Sequence, residues 1–125
     1  MKKFTLFKND PDSKFFPAGT TIFKAGETGD CMYIIQEGEV NILLGDHIIE
    51  TAGSDELVGE MALIDTDLRS ATAVTKSDCT LVPIDKKRFT ILVQQHPYFP
   101  LQVMQVLADR LRKMNAKEQT ISKVV

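Results

Sequence analysis

Val58-Gly59-Glu60-Met61-Ala62-Leu63-Ile64-Asp65-Thr66-Asp67-Leu68-Arg69-Ser70-Ala71-Thr72-Ala73 joins a Gly-Glu pair, one apolar helical turn, a short polar loop and an Arg-Ser-Ala lead into a β-prone run. Gly59 lets a ligand approach the backbone without meeting a side chain. The turn that follows, Glu60 to Leu63, starts with free N–H groups, which favour an anion through hydrogen bonding and the helix dipole. Arg69 returns a planar guanidinium to the same place, with a fork suited to phosphate oxygens. Glu60 would repel a phosphate but can accept a hydrogen bond from a sugar hydroxyl beside one. The ligand that answers this description is a phosphorylated sugar with one compact anionic group.

Upstream, short β-prone runs alternate with turns: Lys14–Phe16, Thr20–Lys24, Cys31–Gln36, Glu39–Leu44 and His47–Thr51, separated by Gly19, Gly26/Gly29, Gly38, Gly45 and Gly53. Short strands at nearly even spacing predict a jelly-roll barrel, and its tight turns account for most of these glycines. Gly45-Asp46 fits a two-residue hairpin with Gly in its first position. Cys31 to Ile35 is apolar on both strand faces and is expected to be covered on both sides. Downstream, Ser70–Ser77 and Cys79–Asp85 read as two further strands, with Pro83 suggesting an edge position. Asp85 is the expected N-cap of a helix with Phe89, Leu92 and Val93 on its inner face. Pro97 and Pro100 interrupt it. A longer helix begins near Tyr98–Leu101 and runs past Asn115, with Met104, Leu107, Leu111 and Met114 in three-then-four spacing and Ile121 and Val125 in the same register. The fold class expected is thus mainly β with C-terminal helices: a double-stranded β-helix (jelly-roll) barrel, a short phosphate-binding helix and two C-terminal helices. The divisions are a lead-in over 1–13, the barrel over 14–85 with the Gly-Glu to Arg-Ser-Ala segment, here called the cassette, at 58–73, and helices over 86–125.

At 125 residues, 43% hydrophobic and 26% charged, the chain has the make-up of one ordinary globular domain. A net charge of −2 supplies no global basic field for nucleic acid. No apolar run approaches a bilayer span, and Met1-Lys2-Lys3-Phe4 lacks the apolar core of a secretory signal, so a cytoplasmic protein without membrane contact is expected. Cys31 and Cys79 match no metal spacing and are expected as reduced thiols. His47 stands alone in its run, without the His-x-His ligands of a metal-binding cupin barrel. His96 precedes Pro97 at a helix end, where capping is its expected role.

The residues Gly59-Glu60, Ala62-Leu63 and Arg69-Ser70-Ala71, with the turns Phe16-Pro17-Ala18-Gly19-Thr20, Gly29-Asp30 and Gly38-Glu39-Val40, resemble the cyclic-nucleotide-binding domains of cyclic-AMP receptors, protein kinase regulatory subunits and gated channels. The resemblance covers about residues 14 to 116. Val58 stands where the family has an aromatic residue and Leu68 where it has Pro. The resemblance implies that Gly59, Glu60, Met61, Ala62, Arg69 and Ser70 line the ligand, with Glu60 accepting from the ribose 2′-hydroxyl and Ser70 near phosphate and base. It also implies that the C-terminal helix lies over the nucleotide, placing Asn115 where a polar residue contacts the base, and pairs with its twin in a homodimer. Arg69-Ser70-Ala71 is similar to bacterial cyclic-AMP receptors and favours cyclic AMP over cyclic GMP.

The function expected is a cyclic-nucleotide sensor that signals by movement of the C-terminal helix, with no catalytic residues, metal or cofactor. The chain ends at Val125, where the family's transcription factors continue into a helix-turn-helix, so no direct nucleic-acid binding is expected. The alternative is a scaffold domain that keeps the fold without the ligand, a reading to which Val58, Leu68, Asp65 and Asp67 give weight; a cupin-like enzyme is a weaker third.

Overall fold

The computed structural model describes residues 3–65 and 68–124, with side chains to Lys113. Residues 3–90 form one compact unit, and a second begins at Ile91. This division falls five residues beyond the expected end of the barrel at Asp85, and residues 3–13 belong with the barrel's unit.

After a 3-10 turn (Thr5–Phe7) come β1 (Lys14–Phe16), β2 (Thr21–Phe23), β3 (Cys31–Glu37), β4 (Val40–Leu44), β5 (His47–Ala52) and β6 (Leu57–Val58). The chain then forms α1 (Glu60–Ile64), β7 (Thr72–Thr75), β8 (Cys79–Asp85), α2 (Lys86–Gln95) and α3 (Tyr98–Val124). The strands make two four-stranded antiparallel sheets, in the orders β1-β8-β3-β6 and β2-β7-β4-β5. Consecutive strands mostly cross from one sheet to the other, which is the jelly-roll arrangement expected.

Alternation along each strand supplies the core. Ile35, Val58, Cys79 and Leu81 from the first sheet meet Phe23, Val40, Ala52 and Ala73 from the second. Each large apolar side chain fully removed from water here contributes about 1.5–3 kcal/mol. Gly45-Asp46 makes the two-residue turn, with Leu44 opposite His47 and positive φ at Gly45 but not at Asp46, the signature of type II′. Cys31 and Cys79 are both free thiols.

Pro83 departs from expectation, because β8 is an inner strand by sheet order. Its partner β1 reaches only Leu81, however, so at Pro83 β8 is paired on the β3 side alone. The missing N–H is tolerated because the strand is locally an edge.

The lead-in packs closely. Phe4 and Phe7 are buried, and the Phe4 N–H donates to the Asp55 carbonyl at 2.6 Å. Arg88, in the first turn of α2, pairs with Asp10, reaches Asp12 at 3.5 Å and lies over the Phe7 ring at 5.5 Å. Burial alone would raise the Asp10 carboxyl; the Arg88 hydrogen bond, the Asp12 N–H and the Arg88 charge hold it below its ordinary value. Asp85 caps α2 as expected, accepting from the Arg88 N–H at 2.8 Å.

In the second unit, Pro100 falls in the first turn of α3, where a missing N–H breaks no helical bond. The buried residues of α3 are Phe99, Val103 and Val106, whereas Met104 and Leu111 are exposed. Of the spaced stripe, Met104 and Leu111 thus face outward and Leu107 is half-buried. α3 carries apolar residues on more than one face, so three-then-four spacing has two solutions, and the one containing the bulky Phe99 is buried. Val93, expected on the inner face of α2, is exposed beside a buried Leu92. The His96 N–H continues the α2 ladder by donating to the Leu92 carbonyl at 2.8 Å. Met114, Asn115, Ile121 and Val125 lie outside the residues whose side chains are described.

Candidate functional site

The cassette joins β6 to β7, and its anchor is Arg69. The backbone there is paired like a strand with the loop after β2: the Arg69 N–H donates to the Glu27 carbonyl at 2.8 Å, and the Gly26 N–H donates to the Arg69 carbonyl at 2.8 Å. Thr28 and Leu68 form an isolated antiparallel bridge alongside. This pairing turns the Leu68 side chain outward and the Arg69 side chain inward; they are 54% and 6% exposed.

A guanidinium so deeply buried needs compensation, because an isolated charge loses several kcal/mol of hydration. Arg69 Nη1 donates to the Gly59 carbonyl at 3.1 Å, and Cζ sits 4.1 Å from the centre of the Phe23 ring. The Phe23 ring stacks in turn on Tyr33, with centroids 6.4 Å apart and planes 17° apart. Burial, then the Cys31 thiol, pushes the Tyr33 hydroxyl up, so it keeps its proton and the aromatic stack stays uncharged. The bond to Gly59 uses one of the five guanidinium N–H donors.

Two glycines make this placement possible. A Cβ on Gly29 would lie 2.2 Å from Arg69 Nε, and one on Gly59 would lie 2.7 Å from Nη1. Gly59 also takes the left-handed conformation, φ 81°, at the N-cap of α1. Gly29 has no such φ, so its role is to leave room rather than to turn the chain.

The structure brings Gly59 and Arg69 together, with Arg69 holding the carbonyl of Gly59, the residue before Glu60; Glu60 and Ala62 are both buried, at 4% and 3% exposure. Met61, at 36%, and Ser70 are exposed on the cassette surface. Asn115 lies in α3 with its side chain outside the described residues. Asp65 ends α1 and is exposed, while Asp67 lies outside the described residues. Val58, in place of an aromatic residue, is fully buried in β6 opposite Tyr33. Phe23, Tyr33 and the spatial part played by Gly29 were not singled out in the sequence. The alternation Thr21-Ile22-Phe23 marks Phe23 as a strand residue, and nothing local says that an arginine far along the chain lies on it.

Beside the cassette, a cleft of ≈ 380 Å³ is lined by Thr28, Gly29, Asp30, Ala62, Leu63 and Asp85 to Lys87, without Arg69 or Glu60. Among the described residues, no three His, Cys, Asp or Glu side chains come together to hold a metal, and no helix is long and apolar enough to cross a membrane.

The chain is 31% identical over 105 residues to the CRP-like cAMP-activated global transcriptional regulator of Mycobacterium tuberculosis, covering 80% of this chain and 47% of that protein. It is 35% identical over 85 residues to the cAMP-dependent protein kinase regulatory subunit of Eremothecium gossypii, covering 68% of this chain and 19% of that one. The chain therefore spans about half the length of the first and a fifth of the second. The crystal structure of the Thermus thermophilus catabolite activator protein superposes with a TM-score of 0.79 at 30% identity, covering 88% of this chain and 54% of that one. Residues 13–96, from the turn before β1 through the cassette to the end of α2, match the cyclic nucleotide-binding domain, and it is to that family that this chain belongs.

Proposed function

We propose that the chain is a regulatory module that binds cyclic AMP in preference to cyclic GMP and acts through its C-terminal helix rather than by catalysis. The observation that carries this reading is the buried Arg69 guanidinium, fixed against the Gly59 carbonyl at the start of the cassette turn. In the bound state Arg69 takes the ring phosphate, and Gly59, Met61 and Ala62 present the backbone that surrounds it. The Glu60 carboxylate accepts from the ribose 2′-hydroxyl. Ser70 stands near the phosphate and the base, and Asn115 reads the base edge from α3, where a side-chain amide offers both a donor and an acceptor. The names of the mycobacterial and kinase relatives, which mention cAMP, favour the adenine nucleotide.

Calorimetric titration with cyclic AMP, cyclic GMP, a cyclic dinucleotide and 2′-deoxy cyclic AMP tests this. Cyclic AMP is expected to bind most tightly. Its 2′-deoxy analogue is expected to be weaker by about one to two orders of magnitude, the worth of a hydrogen bond to a charged group. At a concentration 100-fold above its dissociation constant, the bound nucleotide adds about 2.7 kcal/mol of apparent stability. No heat and no melting shift with any of the four would replace the sensor with the scaffold reading.

The exposed Leu101, Met104 and Leu111 of α3 support a homodimer through this helix. Their spacings of three and seven residues suit a two-helix seam. Light scattering at tens of micromolar is expected to give twice the mass of one chain; a monomeric mass with and without cyclic AMP would remove the dimer.

A further inference from the structure

We propose that Phe23 is a positioning residue of the anion site, whose ring face holds the Arg69 guanidinium in place before a ligand arrives. This rests on reading Arg69 as the phosphate ligand. Three side-chain positions converge on the point: the Phe23 ring centre lies 4.1 Å from Arg69 Cζ, and a Cβ on Gly59 would lie 3.1 Å from Phe23 Cε2 and 2.7 Å from Arg69 Nη1. The ring is held from behind. Phe23 is 9% exposed and sits in β2 opposite Ala73 of β7, a few residues past Arg69 itself. Tyr33 stacks on it with planes 17° apart, and Phe16 meets Tyr33 edge-on, with centroids 6.4 Å apart and planes at 85°.

The chemistry explains why an aromatic ring serves better here than a carboxylate. A carboxylate would neutralise the guanidinium and occupy the donors a phosphate must receive. A ring face attracts the cation through its quadrupole and accepts none of the in-plane N–H bonds. The Arg69 fork is therefore held with its charge and donors available, and the cost of ordering a long side chain does not fall on binding.

The test is a titration of the full chain with cyclic AMP in four forms: wild type, Phe23→Leu, Arg69→Ala and the double variant. Phe23→Leu keeps an apolar side chain but loses the ring face, and is expected to raise the dissociation constant about three- to thirty-fold. In the Arg69→Ala background the same change is expected to have no effect, because the residue through which Phe23 acts is gone. A second series, with one, two and three fluorines on the Phe23 ring, keeps its shape while draining the ring face, and affinity is expected to fall stepwise. That series carries the test if Phe23→Leu does not fold.

Equal losses in both backgrounds, or a flat fluorine series, would overturn the role of Phe23 and leave Arg69 as the phosphate ligand. An Arg69→Ala variant that binds as tightly as wild type would instead overturn the phosphate reading, and the inference about Phe23 with it.

Discussion

Arg69→Ala is expected to weaken cyclic AMP binding by about one to two orders of magnitude, the worth of a charge-assisted hydrogen bond at 1.5–3 kcal/mol. The structure gives a reason to expect the upper end. The guanidinium is 6% exposed, so a phosphate meeting it leaves most of its water behind, and the attraction is less screened than at a surface. The variant should fold. Truncation removes a buried charge together with the need to compensate it, which offsets part of the lost contacts with Phe23 and the Gly59 carbonyl. Isothermal titration of the variant, with its melting curve as control for folding, reads both effects. Unchanged affinity in a folded variant would remove Arg69 from the site.

Gly29→Ala is expected to reproduce most of that loss without touching the cassette. The added methyl would stand 2.2 Å from Arg69 Nε and 2.5 Å from Cζ, well inside contact distance. The backbone at Gly29 accepts an L-residue, and the atoms in the way belong to a long, flexible side chain, so Arg69 yields rather than the fold. Stability is expected to change by no more than about 1 kcal/mol, while affinity falls about tenfold or more. The double variant with Arg69→Ala separates this from a general disturbance: once the guanidinium is gone, the methyl has nothing to displace, and the second loss should vanish. Full additivity of the two losses would show that Gly29 acts on the site by another route.

These two positions also show what could and could not be read from the chain. The barrel was legible because glycine turns and period-two alternation are local signals, and most strands fall within a residue or two of their expected ends. β6 was not, since Leu57–Val58 is too short to alternate and reads as the start of the cassette. Gly59, Glu60 and Arg69 were legible because their chemistry is complementary within one short segment. Gly29 and Phe23 were not, because their contribution is defined by a side chain forty and forty-six positions further along. In sequence, a glycine that makes room looks the same as one that turns the chain. In α3 the helix itself was legible but its buried face was not: it offers many apolar positions, and periodicity alone does not choose between two faces.

The pairing of β1 with β8 joins Lys14 to Leu81 and Phe16 to Cys79, residues more than sixty positions apart. Contacts of such separation require the chain to close a long loop before any stabilisation is returned, which places all-β domains of this kind among the slower folders, from milliseconds to seconds. On the ribosome, a nascent chain that has made the whole cassette still lacks the strand to which its first strand must bind. The cassette is thus complete in sequence before the sheet that holds β6 can close, which waits until synthesis has passed Asp85.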